Sequence, residues 1–118
     1  MSRETRELLA SLDWDRLTPA DGAALLWYVR NKPFIELGLD RRADVLPLSY
    51  DTIVRLPVET MQVVCRFLEL PYHPRLVGDI DQRAVGERRP LELEPRIRQL
   101  CDELGEQLQA AATAALTR

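Results

Sequence analysis

Thr18-Pro19-Ala20-Asp21-Gly22-Ala23-Ala24-Leu25-Leu26-Trp27-Tyr28-Val29 is the stretch that decides how the chain folds. The Thr18 hydroxyl can accept a free first-turn amide, and Pro19 suits the first helical position because its missing N–H is not needed there. Asp21 stands where the acid of a capping box returns the bond to the cap residue. A helix therefore starts at residue 19. From Ala23 to Val29 the body is apolar around nearly its whole circumference, a pattern that belongs to a helix covered on several sides. Pro33 removes an amide donor and is expected to stop or kink the helix near Asn31, although Phe34, Ile35 and Leu37 extend an apolar stripe as far as Gly38.

Upstream, Leu8, Leu9 and Leu12 share one face of a short helix from Arg3 to Leu12 that Asp13 ends. Downstream, Asp44-Val45-Leu46-Pro47-Leu48-Ser49-Tyr50 is short, apolar and bounded by charge, which favours a buried strand. Pro47 argues against a central place in a sheet, and a lone strand cannot satisfy its backbone without neighbours. A turn over 51–56 leads to Pro57, which opens a helix carrying Val58, Met61, Val64, Cys65 and Leu68. Residues 71–93 show no sustained period and form a long loop. Glu94-Pro95 opens a final helix over 95–115 with Ile97, Leu100, Cys101, Leu104, Leu108, Ala111 and Ala115 on one face, and the last residues fray. The expected fold class is mainly α with one short strand, residues 1–118 forming a single partial domain.

The 118 residues carry 19 Asp and Glu against 16 Lys and Arg, so no basic field draws the chain onto nucleic acid. Fifteen of the sixteen cations are arginine, which biased codon usage explains more simply than anion recognition. No apolar run approaches the roughly 18 residues of a membrane span, and the start is too acidic for a secretory signal. Cys65 and Cys101 sit among apolar residues without metal-ligand spacing and read as core fillers. The expected compartment is the cytoplasm.

Little in the chain carries chemistry by itself. A phosphate cradle needs closely spaced glycines before a helix, and Gly22, Gly38, Gly78, Gly86 and Gly105 are isolated. His73 has no recognisable partner, and the carboxylate pairs Asp79/Asp81 and Glu92/Glu94 read as a solvated face, so no catalytic residue and no metal ligand is assigned. The most anion-friendly stretch is Gln82-Arg83-Ala84-Val85-Gly86-Glu87-Arg88-Arg89, whose guanidinium forks suit phosphate. Tyr50 can stack on a flat ring or pack in the core, and the residues alone favour the core.

The order of these pieces resembles the C-terminal part of the sulfotransferases that use 3′-phosphoadenylyl sulfate, the bacterial branch best. The resemblance rests on Trp27-Tyr28-Val29-Arg30-Asn31, Val45-Leu46-Pro47-Leu48-Ser49-Tyr50-Asp51, Leu56-Pro57-Val58-Glu59-Thr60 and Cys65-Arg66-Phe67-Leu68-Glu69-Leu70-Pro71, and runs from about Leu25 to Leu108. It implies the C-terminal portion of an α/β, P-loop-like fold. It also implies Tyr50 near the adenosine end of the cofactor, and Gly86, Arg88 and Arg89 in a loop on its 3′-phosphate. The family's phosphate-cradling loop and catalytic base belong to a preceding region that these residues do not match. Pro47, Asp51 and Glu69 depart from the pattern, the last standing where the family commonly has glycine. The implied reaction is sulfuryl transfer to a hydroxyl or amine, not performed by these residues alone. The expected partner is an N-terminal sulfotransferase half or a second copy, and the alternative reading is a small helical interaction module or homodimer without catalysis.

Overall fold

The computed structural model describes residues 2–80 and 91–118. Among them lie five α-helices: α1 (Arg3–Ala10), α2 (Pro19–Glu36), α3 (Tyr50–Arg55), α4 (Pro57–Phe67) and α5 (Pro95–Ala115). The helix at residue 19 forms as its cap predicts: Thr18 Oγ1 accepts from the Asp21 amide at 3.2 Å, and Asp21 Oδ2 accepts from the Thr18 amide at 3.0 Å. Asp21 does one thing more. Its second oxygen, Oδ1, accepts from the Glu94 amide at 2.8 Å, across 73 residues of sequence. One buried carboxylate thus fixes the start of α2 beside the start of α5, and these two helices form the main packed pair.

Around that junction, Leu12, Leu25 and Ile97 make the core, joined by half-buried Leu9, Leu17, Ala24 and Cys101. Both backbone amides hold the Asp21 carboxyl below its ordinary range, against the opposing effect of burial. A lowered folded value means that the ion's contribution is complete above the ordinary value of 3.8 and is lost as pH falls through the lowered one. The start of α5 has a second cap, since Glu94 Oε2 accepts from the amides of Arg96 and Ile97 at 3.1 and 3.2 Å. Glu94 is therefore a helix cap and not part of a solvated acidic face.

Pro33 does not end α2. The helix runs on to Glu36, so the apolar stripe continues to Leu37, and Gly38 closes the turn at φ +68°, which glycine adopts without a side-chain clash. The proline removes only the donor that the carbonyl of Val29 would have received, on a side of the helix open to water.

The expected strand over 44–50 is not formed, and among the described residues there is no strand. Residues 45–49 form neither helix nor strand, and Tyr50 begins α3 where a strand end was expected. The cause is the one that Pro47 foreshadows: no neighbouring strand is present to bond, and Pro47 offers no donor. The expected turn over 51–56 is in turn the short helix α3. Arg118 ties the preceding loop to the end of α5, its guanidinium donating to the carbonyls of Val45 at 2.6 Å and Asp40 at 2.7 Å.

α4 follows at once from Pro57 and buries Thr60, Val63 and Cys65, while Val58 stays exposed. Its end is a Schellman turn, with the Leu70 amide donating to the Cys65 carbonyl at 2.8 Å and Glu69 adopting φ +57°. A side chain in this left-handed region is strained by roughly 1–2 kcal/mol, a cost that glycine avoids. Glu69→Gly is accordingly expected to stabilise the chain by about 1 kcal/mol, read as a higher midpoint in urea unfolding with unchanged slope; a lower midpoint would show that Glu69 makes a compensating contact.

The whole is thin. The Cα atoms span 51 × 32 × 16 Å, and the radius of gyration, 16.9 Å, exceeds the roughly 13–14 Å of a compact domain of this length. Two packed helices, with Cα radii of about 2.3 Å and axes roughly 8–10 Å apart, span about 13–15 Å of Cα atoms, so the short dimension is about two helices deep. The apolar circumference of α2 is covered only in part: Leu25 and Tyr28 are buried, whereas Leu26, Trp27 and Val29 are exposed.

Candidate functional site

The end of the segment 45–49, the start of α3, α2 and α5 surround a hollow of about 260 Å³ lined by Trp27, Leu48, Ser49, Tyr50, Asp51, Gly105, Leu108 and Gln109. Each wall has a local cause. Tyr50 is the first residue of α3 and is exposed there. Trp27 projects from α2 because the core face of that helix is taken by Leu25 and Tyr28. Gly105 leaves open space on α5, where an added Cβ would meet nothing within 4 Å. Gln109 fixes the floor, its Nε2 donating to Thr52 Oγ1 on α3 at 3.3 Å and to Thr113 Oγ1 on α5 at 3.3 Å.

Tyr50 is 61% exposed and Trp27 40% exposed. The core reading that the residues alone favour for Tyr50 is therefore overturned: the tyrosine of the core is Tyr28, at 3% exposure. Two open aromatic rings at one hollow are a stacking platform for a flat ring. The lining includes Asp51 and holds no lysine or arginine, so it offers nothing to neutralise phosphate. Of the other predicted site residues, Gly86, Arg88 and Arg89 lie outside the described residues, and Tyr50 is the one that the structure places.

A larger cleft of about 540 Å³ adjoins the hollow through their shared Leu48 and Leu108. Its walls are mainly apolar, from Pro33, Phe34 and Leu37 on one side to Leu46 and Pro47 on the other, with Arg30 and Asn31 the polar members.

The remaining candidates have structural work. His73 Nδ1 accepts from the Arg75 amide at 3.1 Å and caps a short turn of helix. Cys65 and Cys101 are free thiols. Burial, then the charge of Asp102, pushes the Cys101 thiol above its ordinary value, which disfavours the nucleophilic thiolate. Among the described residues no group of three or more metal-ligating side chains converges, and no helix is long and apolar enough to cross a membrane.

Sequence reasoning did not place Trp27, Gly105 or Gln109 at a site. For Trp27 a signal existed in the all-round apolar pattern of α2, part of which the described neighbours leave uncovered. Gly105 and Gln109 had none. No family profile, curated protein or solved structure matches the chain.

The two tyrosines separate site from core experimentally. Tyr50→Ala is expected to change stability by less than about 0.5 kcal/mol, as an exposed substitution does, whereas Tyr28→Ala should cost about 3–5 kcal/mol for a buried ring, both read by urea unfolding. Equal losses would return Tyr50 to the core.

Proposed function

We propose that the chain is a sulfotransferase-like C-terminal segment that contributes to a 3′-phosphoadenylyl sulfate site, completed by a nucleotide-binding half. The observation that carries this reading is the exposure of both Tyr50 and Trp27 at one hollow whose lining holds no lysine or arginine. The sequence resemblance puts Tyr50 near an adenosine, and an adenine ring is the kind of flat, neutral group that such a hollow takes. Trp27 and Tyr50 hold the base by stacking. Arg88 and Arg89 neutralise the 3′-phosphate with their guanidinium forks, a task the hollow cannot perform.

When bound, the cofactor supplies the sulfuryl group for transfer to a hydroxyl or amine acceptor. No described side chain is poised as the base that would take the acceptor's proton, and the sequence holds no glycine-rich cradle to neutralise the departing phosphate. These 118 residues therefore position a cofactor and do not turn it over alone. The bare apolar residues Leu26 and Leu37 at either end of the α2 stripe give the completing half a surface to lie on.

Calorimetric titration with adenosine 3′,5′-bisphosphate tests the reading. Tyr50→Ala or Trp27→Ala should each weaken binding by the worth of one stacked base, about 1–3 kcal/mol, or roughly 5- to 150-fold. Changing Arg88 and Arg89 together to alanine should abolish the heat. Absence of binding by the unaltered chain would overturn the proposal, as would binding indifferent to both aromatic rings.

A further inference from the structure

We propose that the apolar cleft beside the hollow binds an unbranched, medium-chain carboxylate, its head on the guanidinium of Arg30 and its chain along the wall from Phe34 to Leu37. This inference is independent of the cofactor reading, which rests on the hollow at Tyr50 and on Arg88 and Arg89.

The cleft, at about 540 Å³, has the size of a site that holds a small ligand. Its distribution of charge narrows the ligand. Arg30 is the only charged residue in the lining, and no carboxylate stands there to oppose it. Among the described residues the Arg30 side chain makes no ion pair and no hydrogen bond. Asn31, the other polar member, donates its side-chain amide to the Trp27 carbonyl of its own helix at 2.8 Å. The rest is hydrocarbon: Phe34 and Leu37 of α2, Leu46 and Pro47 across from them, and Leu108 of α5.

A cation without a counter-ion, beside walls that are otherwise apolar, matches a molecule with one negative end and a hydrocarbon remainder. A dianion would press its second charge against apolar walls. A hydrocarbon without a head would gain nothing from Arg30. A single carboxylate uses both features, since its two oxygens fit the fork of a guanidinium.

The helix sets the shape and length of the remainder. Arg30, Phe34 and Leu37 recur at four and three residues and so share one face of α2. The head and the wall are therefore in line, which suits a straight chain. From residue 30 to residue 37 the helix advances about 10 Å, the span of a medium chain. Leu37, 71% exposed, is the uncovered apolar side chain at the far end. In the other direction the cleft meets the hollow through Leu48 and Leu108, and the one charged residue lining that hollow is Asp51, the wrong sign for the head.

Titration of the full chain with octanoate and with decanoate at neutral pH, followed by the backbone amide resonances, tests the proposal. Both should bind saturably, one per chain, and shift the amides of residues 30–39 and of Leu46 and Leu48. Each added methylene should tighten binding about two- to fourfold. Arg30→Gln, at an exposed position, should weaken octanoate about fivefold and leave octan-1-ol unchanged. Leu37→Gln should shrink the advantage of decanoate over octanoate without touching the Arg30 effect. Absence of saturable binding by the unaltered chain would overturn the proposal. So would octanoate binding that Arg30→Gln leaves intact, or a loss that the alcohol shares equally.

Discussion

The carboxylate of Asp21 is the constraint on which the rest of the structure depends. It closes the capping box of α2 through one oxygen and holds the first residue before α5 through the other. A helix start leaves amides unbonded, and here a single buried anion serves amides at two starts at once. Helix starts also carry partial positive charge, so the anion is stabilised by the place it occupies. With α2 and α5 anchored there, Leu25 and Ile97 meet over Leu12 and the core forms beside the junction. The hollow at Tyr50 is a consequence further along, since α2 supplies Trp27 to it and α5 supplies Gly105 and Gln109.

What that junction builds is a flattened body, 51 × 32 × 16 Å over its Cα atoms. Packing α2 on α5 buries one side of an all-round apolar helix and leaves Leu26 and Trp27 in the open. Bare apolar surface is costly in water and is relieved when it is covered. The same openness makes the aromatic hollow accessible, so the uncovered side of α2 and the candidate site share one origin.

Much of this was legible in the residues. Thr18-Pro19-Ala20-Asp21 gave the start of α2 because a capping box is a local device, and the stripe from Ile97 to Ala115 gave α5 because its period is long. The bond from Asp21 to Glu94 was not legible, since nothing local links positions 73 residues apart. The strand at 44–50 was misjudged for a related reason: apolar run and flanking charge describe a segment that wants partners, and only the fold says whether they are there. The apolar neighbours of Tyr50 favour the core, yet the residue opens α3 and lies exposed. Glu69 is the converse case, where a departure from the family's glycine marks the position that adopts a glycine's backbone conformation.

The most direct test of the account is amide hydrogen exchange at Glu94, a residue that lies before α5 and has no helical bond of its own to slow it. If the Asp21 junction organises the layer, this amide exchanges as slowly as those of Ile97 and Leu104 in the core, and in Asp21→Ala it opens together with the first turns of α2 and α5. Exchange of the Glu94 amide at the rate of an unprotected loop in the unaltered chain would contradict the account.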